Sequence, residues 1–440
     1  MSNQPNLPYW WEPSVPNGRQ RGRLRVQFDR IVEGLQSAPE NVDRNVVIRE
    51  VATDEDVDYL YRDEVILVRD RDVERVLGIL RDTIGDGARV EEPVDREPQR
   101  GVTTIALPAG ADLDAVISDL RDREIDASKD LVLHICPSAS ACPATEPVLV
   151  SQDRGPVPAV ADWSPRPTDR KVKVAVIDTD FHQSVVEQHD WLSNVSGQPG
   201  GPQADGHYRG HGTFVGGVVA TMAPDAEVRV WPALLTSGGQ ISSDLGPILD
   251  QVLQTGPDII SLSAGTTLAP GEDPARELLG LEVFREYLAK TDTLLVCAAG
   301  NDAQDVGFYP AGLPHPEIVA VGALDDDDAT AAGYSNYGSW VDVWARGTDV
   351  VNGYPNGRYD YEDIDPDTPG DQPGHVVFTN WLASWSGTSF ATPLVAGLVA
   401  ARMAWSHEKP REAWAALHQI AVAHAVNGRP VLKRGDADRP

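Results

Sequence analysis

The sequence predicts an α/β protein whose main body is a mostly parallel sheet with helices on both faces, preceded by a small α+β domain. Two observations carry that expectation. From Lys171 onward, short apolar runs alternate with segments of helical periodicity, and that alternation implies parallel strands covered on both faces. Upstream, residues 41–136 carry a separate β-α-β-β-α-β order, and the stretch 137–170 between the two regions is rich in Pro, Ser, Ala and Asp.

Residues 1–40 mix Pro, Gly and Arg with little periodicity and read as an extended N-terminal arm. In the unit that follows, Glu64–Arg69 is a strand, and Val73, Val76, Leu77 and Leu80 fall at helical spacing. Short strands are expected near Ala88–Val90 and over Val102–Leu107. Asp112 caps a helix carrying Leu113, Val116, Ile117 and Leu120, and Leu131–Ile135 is the last strand. This is the split pattern of ferredoxin-like folds. Residues 137–170 read as a linker. The main body, 171–425, then has strands over Val172–Ile177, Val228–Trp231, Ile259–Leu262, Leu294–Ala298 and Ile318–Val321. Helices are expected from Thr213, over Leu245–Leu253 and over Leu278–Leu288, and residues 426–440 read as a frayed polar tail.

A chain of 440 residues with 41% hydrophobic and 24% charged residues has material for a sizeable core. The net charge of −30 excludes a basic nucleic-acid footprint. An acidic, Lys-poor composition suits high salt, and genomic base composition gives the same skew. No run approaches the roughly 18 apolar residues of a membrane span, and no secretory pattern opens the chain, so a cytoplasmic location without membrane partners is expected. The three cysteines, Cys136, Cys142 and Cys297, fit free thiols in a reducing compartment, with pairing of Cys136 and Cys142 across a short loop as the alternative. Cys297 reads as a small buried hydrophobe.

Three segments carry chemistry. Val174-Ala-Val-Ile-Asp178-Thr-Asp180 is a buried strand ending in carboxylates, at the end of a sheet where catalytic groups gather. Gly210-His211-Gly-Thr sets a histidine among glycines at a helix start. Ser386-Gly-Thr-Ser389-Phe-Ala-Thr-Pro sets a serine just inside a helix N-terminus, where free N–H groups favour a developing anion. Each alone is an ordinary structural motif: an Asp cap, a structural His, a Ser/Thr N-cap.

The order Asp, His, Ser, with these flanking residues, resembles the subtilisin-like (S8) serine peptidase family over residues 171–425. The resemblance implies a subtilisin-like fold and a triad of Asp178, His211 and Ser389. It also implies that Asn301, in Ala298-Ala-Gly-Asn301, completes an oxyanion hole. Substrate backbone would pair with Ser237, Gly238 and Gly239 on one edge and with Ser263, Ala264 and Gly265 on the other. Ala299 and Gly300 would border the pocket beside the scissile bond. The substrate is then a protein or peptide. The preceding domain resembles the family's propeptide, an intramolecular inhibitor, with the cleft-lying segment and the self-cleavage site of a zymogen expected within 137–170.

Some residues depart from the family pattern. Asp180 stands where Gly is usual, Phe214 replaces a second His, and Phe390 replaces a Met. The loop that holds calcium in many members has no counterpart between Ala220-Thr-Met-Ala-Pro224 and the next strand, so no metal or cofactor is expected. Asp325–Asp328 reads as a solvated acidic loop. Two rival readings are a D-x-D phosphatase on Asp178-Thr-Asp180, which leaves His211, Asn301 and Ser389 unexplained, and a pseudoprotease that binds peptide in the same cleft.

Overall fold

A computed structural model describes residues 18–42, 44, 46–53, 56–91, 101–135, 146–151, 153–161, 170–198, 206–281, 284–285, 288–361 and 374–436. Cys136, Cys142, the first part of the N-terminal arm and part of the 137–170 stretch lie outside them.

The main body is a seven-stranded sheet in the order Val343–Arg346, Ile318–Leu324, Leu294–Ala298, Ile259–Leu262, Lys173–Asp178, Glu227–Pro232, Val195–Gly197. All its pairings are parallel. The central strands are Val-, Ile- and Leu-rich without alternation because helices cover both faces, so both sets of side chains are buried. Two helices, His211–Met222 and Thr388–Ser406, are buried almost all round and pack against each other. A Cβ on Gly397 would stand 2.5 Å from the Met222 Cβ, so glycine there lets the two helices approach. The expected helix over Leu278–Leu288 is interrupted: Pro274–Glu277 is a helical turn and Leu279–Leu281 a tighter one.

The small domain follows its predicted element order. Strands Ala127–Ile135, Asp56–Arg69, Val102–Ala106 and Arg89–Val90 lie side by side and antiparallel, with helices Val73–Ile84 and Leu113–Asp122 between them in sequence. Asp112 caps the second helix, accepting from the Ala115 N–H at 3.0 Å. An additional strand, Ile48–Thr53, pairs with the Asp56–Arg69 strand.

Three expectations are corrected. The arm contains a helix, Gly18–Ser37, whose Phe28, Ile31 and Leu35 are spaced for one face and buried with Val132 and Ile241. Its glycines and arginines mask that stripe in the sequence. The linker is not free, because Val148 pairs with Ser384 and Val157 with Val351 along the main body. The tail is not frayed as far as Asp436: Val431 and Leu432 are buried, Val431 pairs with Trp344, and Arg434 donates to the Val160 carbonyl. Among the described residues, no helix is long and apolar enough to cross a membrane.

Candidate active site

The Lys173–Asp178 strand ends at the carboxyl edge of the sheet and delivers Asp178, 1% exposed, to the start of helix His211–Met222. His211 Nδ1 lies 2.7 Å from Asp178 Oδ1, which also accepts the Thr179 N–H at 2.8 Å. A carboxylate on Nδ1 keeps the proton on that nitrogen and leaves Nε2 as the basic end of the ring. Tyr208, Trp385 and Phe390 surround the imidazole, with ring centroids 5.8, 5.1 and 5.3 Å away. Trp385 is therefore one wall of the histidine pocket.

Asp180 has a definite structural task. Its two oxygens accept the Gly210 N–H at 2.8 and 2.9 Å, and its Oδ1 accepts the Thr179 hydroxyl at 3.0 Å. His182 Nε2 stands 2.6 Å from the other oxygen. Gly210 has φ 80°, a left-handed conformation that glycine adopts without strain, and immediately precedes His211. Asp180 thus ties the end of the Asp178 strand to the residue that launches the His211 helix. The glycine usual here has no side chain with which to make that tie. The sequence marked Asp180 as a departure from the family pattern but did not show this role.

Ser389 is the second residue of helix Thr388–Ser406, so its N–H is one of the first-turn donors without an intrahelical partner. Its carbonyl accepts the Ser263 hydroxyl at 3.0 Å. Asn301 Oδ1 accepts both the Thr388 N–H (2.9 Å) and the Thr388 hydroxyl (2.8 Å), which fixes the amide with its NH₂ end as the donor end. Asn336 braces the same turn: its amide donates to the Ala299 carbonyl and its oxygen accepts from the Asp302 and Gln304 N–H groups. Sequence reasoning gave Thr388 no role, although it sits inside the Ser386-Gly-Thr-Ser389 motif, and gave none to Asn336. Asp178 contacts His211 directly, and Asn301 contacts Thr388, the residue before Ser389. Phe390, the residue after Ser389, packs against the His211 ring and sets the two pairs side by side. Buried Cys297 lies in strand Leu294–Ala298, paired with Leu262 and set back from the site.

The two expected substrate edges flank one strand, and that strand belongs to the small domain. On one side Val132, Leu133 and His134 pair antiparallel with Ile241, Gln240 and Gly239. On the other, His134 and Ile135 pair with Gly265 and Ala264. The Ile135 N–H donates to the Gly238 carbonyl at 2.8 Å, while Ser237 packs beneath Gly34 of the Gly18–Ser37 helix. The cleft-lying segment was expected within 137–170; it is the last strand of the small domain that lies between these two edges, and its bulky Leu-Val-Leu-His-Ile run suits a strand buried on both faces. Beyond the seam, Asp130 accepts from the Ser242 hydroxyl, the Ser243 N–H and the Ser243 hydroxyl at 2.7, 3.0 and 2.6 Å, capping helix Ser242–Gln254 of the main body. Arg44 pairs with Asp244 and Arg121 with Glu277 across the same boundary.

His134 is 2% exposed, with Phe28 at 5.1 Å and Phe308 at 5.7 Å between ring centroids. Nδ1 donates to the Ile135 carbonyl and Nε2 has no partner among the described residues. Burial pushes its pKa down to about 4. In the Asp325–Asp328 loop, Asp327 accepts from the Ala329 and Thr330 N–H groups and the Thr330 hydroxyl, which hold its carboxyl below the usual range.

A parallel sheet with Asp178 and His211 in contact at its carboxyl edge, and Ser389 at the N-terminus of a helix packed on it, defines an α/β protein of the parallel-sheet class. The family model of the Subtilase family (Peptidase S8) matches residues 169–436, and the chain belongs to that family. It is 29% identical to a thermophilic serine proteinase of Bacillus sp. (strain AK1), over 52% of this chain and 51% of that protein. It is 30% identical to halolysin of Haloferax mediterranei, over 60% of this chain and 48% of that protein. The intracellular serine protease of Paenibacillus polymyxa is 30% identical over 56% of this chain and 70% of its own length. The chain thus spans about half the length of the first two curated relatives.

Proposed function

We propose that this chain is a serine endopeptidase that hydrolyses protein or peptide substrates through an acyl-enzyme on Ser389. The observation that carries the reading is the 2.7 Å contact between His211 Nδ1 and Asp178, set beside a serine at a helix N-terminus. His211 Nε2 takes the Ser389 hydroxyl proton as Oγ attacks the scissile carbonyl, then gives it to the leaving amine. Asp178 holds the tautomer and stabilises the imidazolium. The Asn301 amide and the Ser389 N–H receive the oxyanion. In the second half, water attacks the acyl-enzyme with His211 again as base.

We also propose that the small domain is an intramolecular inhibitor and that the chain processes itself. Supporting this, Ile135 ends on one side of the site, and Val148 pairs with Ser384, in the strand leading toward Ser389, on the other. These anchors bracket residues 136–145, so the cut falls there. A buried free thiol at Cys297 suits a reducing compartment, and we attach a cytoplasmic location to the same reading.

The test of the activity is chemical. The processed protein takes a fluorophosphonate label on Ser389 and hydrolyses an unfolded protein substrate, and Ser389→Ala loses both. Unlabelled Ser389 with retained peptide binding would instead make the cleft a binding module.

A further inference from the structure

A strand seated on Ala264–Gly265 runs toward Ser263 at its next register position, and the Ser263 hydroxyl is bonded to the Ser389 carbonyl. The side chain before the scissile bond must therefore enter between two segments, 263–265 and 299–301, which continue the paired strands Ile259–Leu262 and Leu294–Ala298. That space already holds a side chain. Phe308 is fully buried; a Cβ on Gly265 would stand 2.6 Å from its Cε1, and one on Gly300 would stand 3.3 Å from its Cγ. Ala298 and Trp340 pack on the same ring.

We infer that Phe308 is a specificity-determining residue that restricts the enzyme to peptide bonds following a small residue: Ala, Ser, Gly or Cys. The inference rests on the endopeptidase reading and deepens it. The chain's own sequence supports it independently. The bracketed stretch Cys136-Pro-Ser-Ala-Ser-Ala-Cys-Pro-Ala-Thr145 contains no side chain larger than Pro or Thr, directly after the bulky Leu131-Val-Leu-His-Ile135. A substrate with Phe or Leu at the position before the cut has to displace a packed ring, and inserting volume into a packed site is strongly disfavoured.

The experiment measures kcat/KM of the self-processed enzyme on peptides differing only in that residue. Ala, Ser and Gly are expected to exceed Phe and Leu by about 100-fold, near the upper end of what one apolar pocket discriminates. Phe308→Gly should bring the large residues to within about tenfold of Ala or above it, and the more conservative Phe308→Leu should fall between. Wild-type enzyme that cuts after Phe or Leu as fast as after Ala overturns the inference, as does an unchanged ratio in a variant that still takes the fluorophosphonate label. Failure of Ser389 to label in the wild type overturns the endopeptidase reading and this inference together.

Discussion

Every strand of the parallel sheet comes from between Lys173 and Arg346, whereas the seven-stranded antiparallel sheet borrows two strands, Gly239–Ile241 and Ala264–Gly265, from that same stretch. The parallel sheet is finished without the small domain. The antiparallel sheet is finished only by lying on the edges a substrate would use. Unpaired strand edges are templates for any extended peptide, and here the chain's own Ala127–Ile135 occupies them. Under the proposed function, chemistry is assembled within one region and access is controlled by the other, through contacts that can be broken separately.

Breaking the first region alone should give the largest effect. Asn301→Ala removes a donor to the oxyanion and should lower kcat by about 10²–10³ with little change in KM, a magnitude that comes from subtilisin itself. Hydrogen exchange at Ala127–Ile135 in the unprocessed chain should be unaltered.

Acid should open the seam without touching the triad geometry. His134 has a pKa near 4 when buried and about 6.5 when released, so between those values the released form binds more protons. The seam is then at full strength above about pH 6.5 and weakens as the pH falls toward 4, by up to ~3 kcal/mol. Exchange at Ala127–Ile135 in the Ser389→Ala chain, followed from pH 7 to 4, should rise across that window, and His134→Phe should flatten the rise.

Asp180→Ala separates the Asp178 strand from Gly210 and should lower kcat by about tenfold or more through misplacement of His211. Asp180→Asn, which retains an acceptor for the Gly210 N–H, should recover much of that loss, as steady-state kinetics would report. The smallest change is expected from Asp130→Asn, which weakens the cap on helix Ser242–Gln254 and should loosen the seam by about 1 kcal/mol. Inhibition of the processed enzyme by added small domain would measure it.

Legibility in the sequence followed the range of the interactions. Asp178, His211, Asn301 and Ser389 lie in short motifs where strand end, glycine and helix start are neighbours in the chain, and each is readable locally. Strands such as Ile259–Leu262 and Leu294–Ala298 are continuous apolar runs and matched their expected bounds. What escaped depends on distant partners. The Gly18–Ser37 helix is held by Phe28, Ile31 and Leu35 against Val132 and Ile241, and nothing local announces those partners. The last strand of the small domain was visible over Leu131–Ile135, but its start at Ala127 and its seat between two edges of the main body were not. Phe308 carries no local signal in the sequence, and it stands out only because Gly265 and Gly300 close on it.

The most direct test of the account is the intact mass and N-terminal sequence of the purified chain beside its Ser389→Ala counterpart. The account predicts a wild-type chain cut once within residues 136–145 and an uncut Ser389→Ala chain. A fully active wild-type chain that stays intact, or a Ser389→Ala chain cut at the same bond in isolation, would contradict it.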